Sequence, residues 1–182
     1  MHLVLDYTCT AGTNNRLYSL YRLTLSLLHL EIGYMTSSSG KIKVLFICVH
    51  NSGRSQMAEE YLKRIGGDRF EVESAGYKPT SLHPLILRVM GEDGFDLSGK
   101  KTQSSWDLFK EGRLFKYVIT VCDRANEEEC PLFPKPFVQL NWPYPDPESF
   151  TGSEAEKLEQ ARMLRDSIKE KVEQFVGEMT SA

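Results

Sequence analysis

The sequence predicts an α/β fold with a parallel sheet, and three observations carry that prediction. Two short, almost continuous apolar runs, KVLFIC at Lys43 to Cys48 and KYVITVC at Lys116 to Cys122, have the composition of strands buried on both faces. Stretches with helical apolar spacing alternate with the strand-like runs along the chain. The 182 residues are 41% hydrophobic and 26% charged, an ordinary globular balance. Strand–helix alternation in a chain of this kind places right-handed crossovers over both faces of a parallel sheet.

The elements follow in order. Residues 1–40 read apart from the rest, with nine Leu, no Lys and no Pro, and are expected to form an amphipathic helix or a poorly ordered extension. The longest uncharged run in the Leu-rich stretch is the eight residues Leu23 to Leu30, well short of the roughly 20 that span a membrane. Arg22 interrupts the apolar stretch, which suits a secretory signal poorly. Met35, followed by TSSSG, is a candidate natural start. The domain is expected over 41–182. Its first strand is Lys43 to Cys48, followed by a helix over Arg54 to Ile65, with Met57, Ala58, Tyr61, Leu62 and Ile65 on one side. Phe70 to Ala75 alternates as a strand, and His83 to Gly91 is a helix with Pro84 in its first turn. A shorter helix over Ser104 to Lys110, strands over Lys116 to Cys122 and Phe137 to Asn141, and a long charged helix over Glu154 to Phe175 complete the set.

A net charge of −3 gives no general pull toward nucleic acid or an anionic membrane, so a bound anion must be held by a local device. The junction of the first strand and first helix supplies one: Cys48-Val49-His50-Asn51-Ser52-Gly53-Arg54-Ser55. Successive backbone N–H groups in a tight loop form a concave nest, and the helix N-terminus adds positive potential. Both favour an oxyanion and a thiolate at the centre. Arg54 can bind two oxygens side by side, and Ser55 can donate to the sulfur. Gly53 supplies torsional freedom, and Asn51 tolerates left-handed torsions.

The run VLFICVHNSGRSQMAE resembles the active-site loop and first helix of the low-molecular-weight tyrosine phosphatase superfamily, in particular its thioredoxin-coupled arsenate reductases. The resemblance covers Lys41 to Gly177. It implies a four-stranded parallel sheet in the order 2-1-3-4 with helices on both faces, and a cytoplasmic enzyme. In that order strands one and three are neighbours, about 4.8 Å apart, and each ends in a cysteine, Cys48 and Cys122. Adjacent strand ends suit the disulfide Cα separation of about 4.4–6.8 Å, provided the ends are level. Eight helical steps from Cys122 to Cys130 would span about 12 Å, so that bond requires Asp123 to Glu129 to loop out. No His lies near this pair and its spacing is wide for zinc, so no metal centre is expected.

By resemblance, Cys48 attacks arsenate, Cys122 attacks Cys48 and releases arsenite, Cys130 takes over the disulfide, and thioredoxin reduces the exposed Cys122–Cys130 bond. Phosphate or sulfate would compete with arsenate. Asp146, within Trp142-Pro143-Tyr144-Pro145-Asp146-Pro147, matches the family's general acid. Phosphatases of the superfamily follow this Asp-Pro pair with aromatic residues; here Glu148, Ser149 and Phe150 follow, so a phosphotyrosine lacks its platform while a tetraoxyanion does not need one. Some family reductases bind potassium through positions matching Asn51, Glu59 and Ser74; a further carboxylate expected after Ser98 is replaced by Gln103, with Lys100 and Lys101 close by. His50 reads as a backbone-shaping or exposed residue rather than a catalytic base, and His83 as a cap-region residue of the helix it opens. Two alternatives remain open: a phosphatase whose extra cysteines protect Cys48 from overoxidation, and a non-catalytic oxyanion-binding module, against which the conjunction of Cys48, Arg54 and Asp146 counts.

Overall fold

The computed structural model describes residues 40–123 and 138–180. Its elements are β1 (Ile42–Cys48), α1 (Arg54–Gly66), β2 (Phe70–Gly76), α2 (Pro84–Glu92), α3 (Ser105–Lys110), β3 (Tyr117–Thr120), β4 (Val138–Asn141) and α4 (Glu154–Glu178). The extension at 1–39, the segment holding Cys130, and Phe137 lie outside the described residues.

The sheet has the order β2-β1-β3-β4, and all its pairs are parallel, with Ile42 opposite Phe70, Val44 opposite Tyr117 and Tyr117 opposite Val138. β1 is central, which explains its unbroken apolar run: Val44, Leu45, Phe46 and Ile47 are all fully buried. Alternate residues serve two cores. Val44, Phe46 and Cys48 join the larger one, with Met57, Ala58, Tyr61 and Leu62 of α1 and Leu158, Ala161, Leu164, Ile168 and Val172 of α4. Leu45 and Ile47 join a smaller one with Ala75, Leu108, Phe115 and Val118. α4 starts from a capping box in which Ser153 and Glu156 satisfy one another's backbone donors.

The third strand is shorter than predicted, stopping at Thr120 with the chain bending at Cys122. The physical reason is its partner. β1 ends at Cys48 and turns into the loop, so Val121 N–H to Ile47 O, at 2.8 Å, is the last bond β3 can make along it. Because the chain runs from β1 to a neighbour on one side and later to a neighbour on the other, β1 and β3 flank the switch point, where open α/β sheets place their crevices.

Candidate active site

Four backbone hydrogen bonds hold the loop after β1 against residues 77–83. The carbonyls of Cys48, Val49, His50 and Ser52 accept from the N–H groups of Tyr77 (3.2 Å), Lys78 (2.8 Å), Thr80 (3.0 Å) and His83 (2.9 Å). The loop's oxygens are thereby turned toward residues 77–83, the backbone polarity an anion-binding nest requires. On the inner side Asn51 N–H donates to Cys48 Sγ at 3.1 Å. Asn51 takes a left-handed φ of 53°, as its residue type suggested. Gly53 has a φ of −155°, outside the left-handed region. Its value is room: a Cβ there would lie 3.0 Å from Ile86 Cγ1.

The side chains continue the pattern. Ser55 Oγ lies 3.0 Å from Cys48 Sγ and accepts from Asn51 Nδ2 at 2.9 Å, which leaves the serine hydrogen for the sulfur. Asn51 Nδ2 also donates to Ser74 Oγ at 2.8 Å, and Ser74 Oγ donates to Glu59 Oε2 at 2.6 Å. Asn51 Oδ1 accepts from Gln103 N–H (2.9 Å) and Gln56 Nε2 (3.2 Å). Arg54, buried beneath the loop's exit, donates through one terminal nitrogen to Tyr144 O at 3.0 Å and pairs through the other with the Asp146 carboxylate. Asp146 also accepts from Glu148 N–H at 3.1 Å, which fixes the turn Pro147–Ser149.

Cys48, Arg54 and Ser55 of the loop and Asp146, 92 residues beyond Arg54, therefore lie together in one candidate site. Cys122 is buried just past the neighbouring strand, but the ends are not level as the expected disulfide supposed. Ile47 faces Thr120, so continued register sets Cys48 beside Val121, with Cys122 one residue further on. His83 caps α2, its Nδ1 accepting from Leu85 N–H at 3.2 Å. His50 lines a cavity of about 630 Å³ beside the loop, together with His83, Leu85, Glu148 and Lys157. Sequence reasoning did not anticipate the backing segment 77–83, Gln56 or the Tyr144 carbonyl. Most of these contacts run through backbone, which leaves no residue signature.

The residues proposed to hold potassium do not fit that ion. Glu59 Oε2 is already ion-paired with Lys100 Nζ at 2.9 Å and accepts from Ser74 Oγ, and its other oxygen pairs with Lys63. Ser74 O accepts from Gln103 Nε2 at 2.8 Å, and Asn51 Oδ1 has its two donors. Gln56 Oε1 is the buried side-chain oxygen among the described residues without a hydrogen-bond partner, a single acceptor where an oxygen-bound cation takes several.

Comparison with known proteins is consistent with this geometry. The family model described as low molecular weight phosphotyrosine protein phosphatase matches residues 43–182. An arsenate reductase of Bacillus licheniformis is 35% identical over 136 residues, which is 74% of this chain and 95% of the relative. A solved structure of an arsenate reductase in the phosphate binding state superposes with a TM-score of 0.61 at 28% identity, covering 75% of this chain and 98% of the other. A thioredoxin-dependent arsenate reductase of Corynebacterium glutamicum gives a TM-score of 0.52 at 28% identity, covering 91% of this chain and 79% of the other.

Proposed function

This chain belongs to the low molecular weight phosphotyrosine protein phosphatase family, and from that premise we propose that it reduces arsenate to arsenite through a relay of Cys48, Cys122 and Cys130. The observation that carries the reading is the position of Cys48: its sulfur is bonded by a loop amide and a serine hydroxyl at the mouth of an oxyanion nest, with a second buried cysteine just beyond the adjacent strand. The named reductases among its relatives support the same chemistry.

The loop 49–55 and Arg54 bind the arsenate dianion, and phosphate or sulfate competes there. Cys48 thiolate attacks arsenic, a sulfur–arsenic bond forms, and an arsenate oxygen leaves as water after protonation by Asp146. Cys122 thiolate then attacks Cys48 Sγ. A disulfide forms, the sulfur–arsenic bond breaks, and its electron pair stays on arsenic, which departs as arsenite. Two thiols are oxidised and arsenic gains two electrons. Because Cys122 stands one residue past the level position, the bend at 121–123 must carry it to Cys48. Cys130 thiolate next attacks Cys122 and frees Cys48, and a thioredoxin dithiol reduces the Cys122–Cys130 bond. Such a relay suits the reducing cytoplasm. Catalysis is assigned to residues 41–182.

The test is Cys130→Ser in quenched single-turnover assays with mass mapping of disulfides. One arsenite per enzyme and a trapped Cys48–Cys122 bond are expected, with steady-state turnover with thioredoxin lost. Phosphate-ester hydrolysis should be nearly unchanged, since it uses Cys48, Arg54 and Asp146. Full steady-state reduction by Cys130→Ser would refute the relay. Ester hydrolysis with no arsenite burst in the unmutated protein would favour the phosphatase reading.

A further inference from the structure

Beyond the loop, a line of hydrogen bonds runs from Glu59 to the attacking sulfur, and a lysine forms an ion pair at its outer end. Lys100 Nζ lies 2.9 Å from Glu59 Oε2 and 2.5 Å from Glu60 Oε1. Glu59 is 7% exposed, so its charge needs a local counterion. The oxygen facing Lys100 also accepts from Ser74 Oγ. Spending its one hydrogen on Glu59, Ser74 can only accept from Asn51 Nδ2, and the same nitrogen donates to Ser55 Oγ. Ser55 then directs its hydrogen at Cys48 Sγ. Ser74 is oriented by Glu59 and Ser55 by Asn51, whose amide is also held by Gln103 N–H and Gln56 Nε2, and the line ends on the sulfur.

We propose that Lys100 is a positioning residue for Cys48, a built-in cation whose ammonium occupies the role of a bound alkali ion, so that this chain works without potassium. The inference rests on the reading of Cys48 as the attacking thiolate and on the misfit of the Asn51, Glu59 and Ser74 set to an ion. Lys100 sits at the foot of a segment already tied to the site: Lys101 O accepts from Gln56 Nε2 at 3.4 Å, and Gln103 bonds both Asn51 and Ser74. Lys63, about half exposed, pairs with the other oxygen of Glu59.

The experiment compares the unmutated protein, Lys100→Met and Lys100→Arg in potassium, sodium and choline chloride at equal ionic strength. Three quantities are read: arsenate turnover, the rate of Cys48 alkylation by iodoacetamide, and the melting temperature. In the unmutated protein all three should be the same in the three salts. Lys100→Met in choline should lose about 10-fold in kcat and in alkylation rate, with a smaller change in KM, because the anion contacts are made by the loop and Arg54. Lys100→Arg should recover the larger part of both rates, since a guanidinium also supplies charge and donors. Several-fold activation or thermal stabilisation of the unmutated protein by potassium over choline would overturn the proposal. So would a Lys100→Met protein indistinguishable from the parent, or a deficit that arginine does not relieve. Alkylation and melting do not require arsenate chemistry, so failure of the reductase reading would leave them intact as a separate answer.

Discussion

Arg54 illustrates how a single side chain is poised between two partners. Its guanidinium donates to Tyr144 O and pairs with Asp146, so an arriving oxyanion must compete with a carboxylate for the same N–H groups. Asp146→Asn keeps the shape and removes the competing charge. The expected result is a split: phosphate binding, read by calorimetry, tightens about 3- to 10-fold (each tenfold being about 1.4 kcal/mol), while turnover falls about 100-fold or more through loss of the proton donor. Weaker phosphate binding in Asp146→Asn would mean that the carboxylate helps to hold Arg54 rather than competing for it.

Among the elements, the sharpest constraint is where β2 meets the loop. A Cβ on Gly76 would lie 2.6 Å from Asn51 N and 2.8 Å from His50 C, so the end of β2 touches the backbone of the nest itself. Gly76 N–H also bonds Gln103 O at 2.9 Å, which joins β2 to the segment leading into α3. Neither side can yield without moving Asn51, whose N–H bonds Cys48. Gly76→Ala is therefore expected to cost about 1–3 kcal/mol of stability by overpacking. It should also weaken phosphate binding about 10-fold, a loss disproportionate to that of a buried site remote from the loop. Denaturant titration and calorimetry on the same preparation check both, and unimpaired phosphate binding would show that the loop tolerates displacement.

Across the molecule, a polar cluster on the far side of α1 ties three helices together. Tyr61 Oη of α1 donates to Asp93 Oδ2 at 2.8 Å just after α2, and Lys169 of α4 reaches the same oxygen at 3.4 Å. Arg162 of α4 makes a two-pronged contact with Glu92. The Tyr61 hydrogen bond, followed by Lys169, holds the Asp93 carboxyl below its ordinary range, while burial and then Asp93 push the Tyr61 hydroxyl up. An acid whose folded value is depressed contributes stability above its unfolded value, about 4, and loses it as pH falls through the folded value. Melting temperature should therefore fall more steeply below about pH 4 in the unmutated protein than in Asp93→Asn. Tyr61→Phe should cost about 1–2 kcal/mol at neutral pH. An identical acid slope in Asp93→Asn would remove Asp93 from the account. Among the described residues no helix is long and apolar enough to cross a membrane.

The nature of each element and the pattern of the loop were legible in the residues because both are local. Apolar runs at Val44 to Ile47, helical spacing at Met57 to Leu62 and the Ser153–Glu156 cap depend on near neighbours, and so does a cysteine seven residues ahead of a serine across a strand–helix turn. Strand order was legible only through family resemblance. Other features depended on how distant backbones meet. Where β3 stops is set by β1 turning away at Cys48, and the one-residue offset of Cys122 follows from that register. The carbonyls that accept from 77–83, the closeness of Gly76 to Asn51, and the placement of Lys100 on Glu59 across 41 residues have no local signature. Hydrogen-bond direction and steric room belong to pairs of segments, and only the folded chain decides which segments are paired.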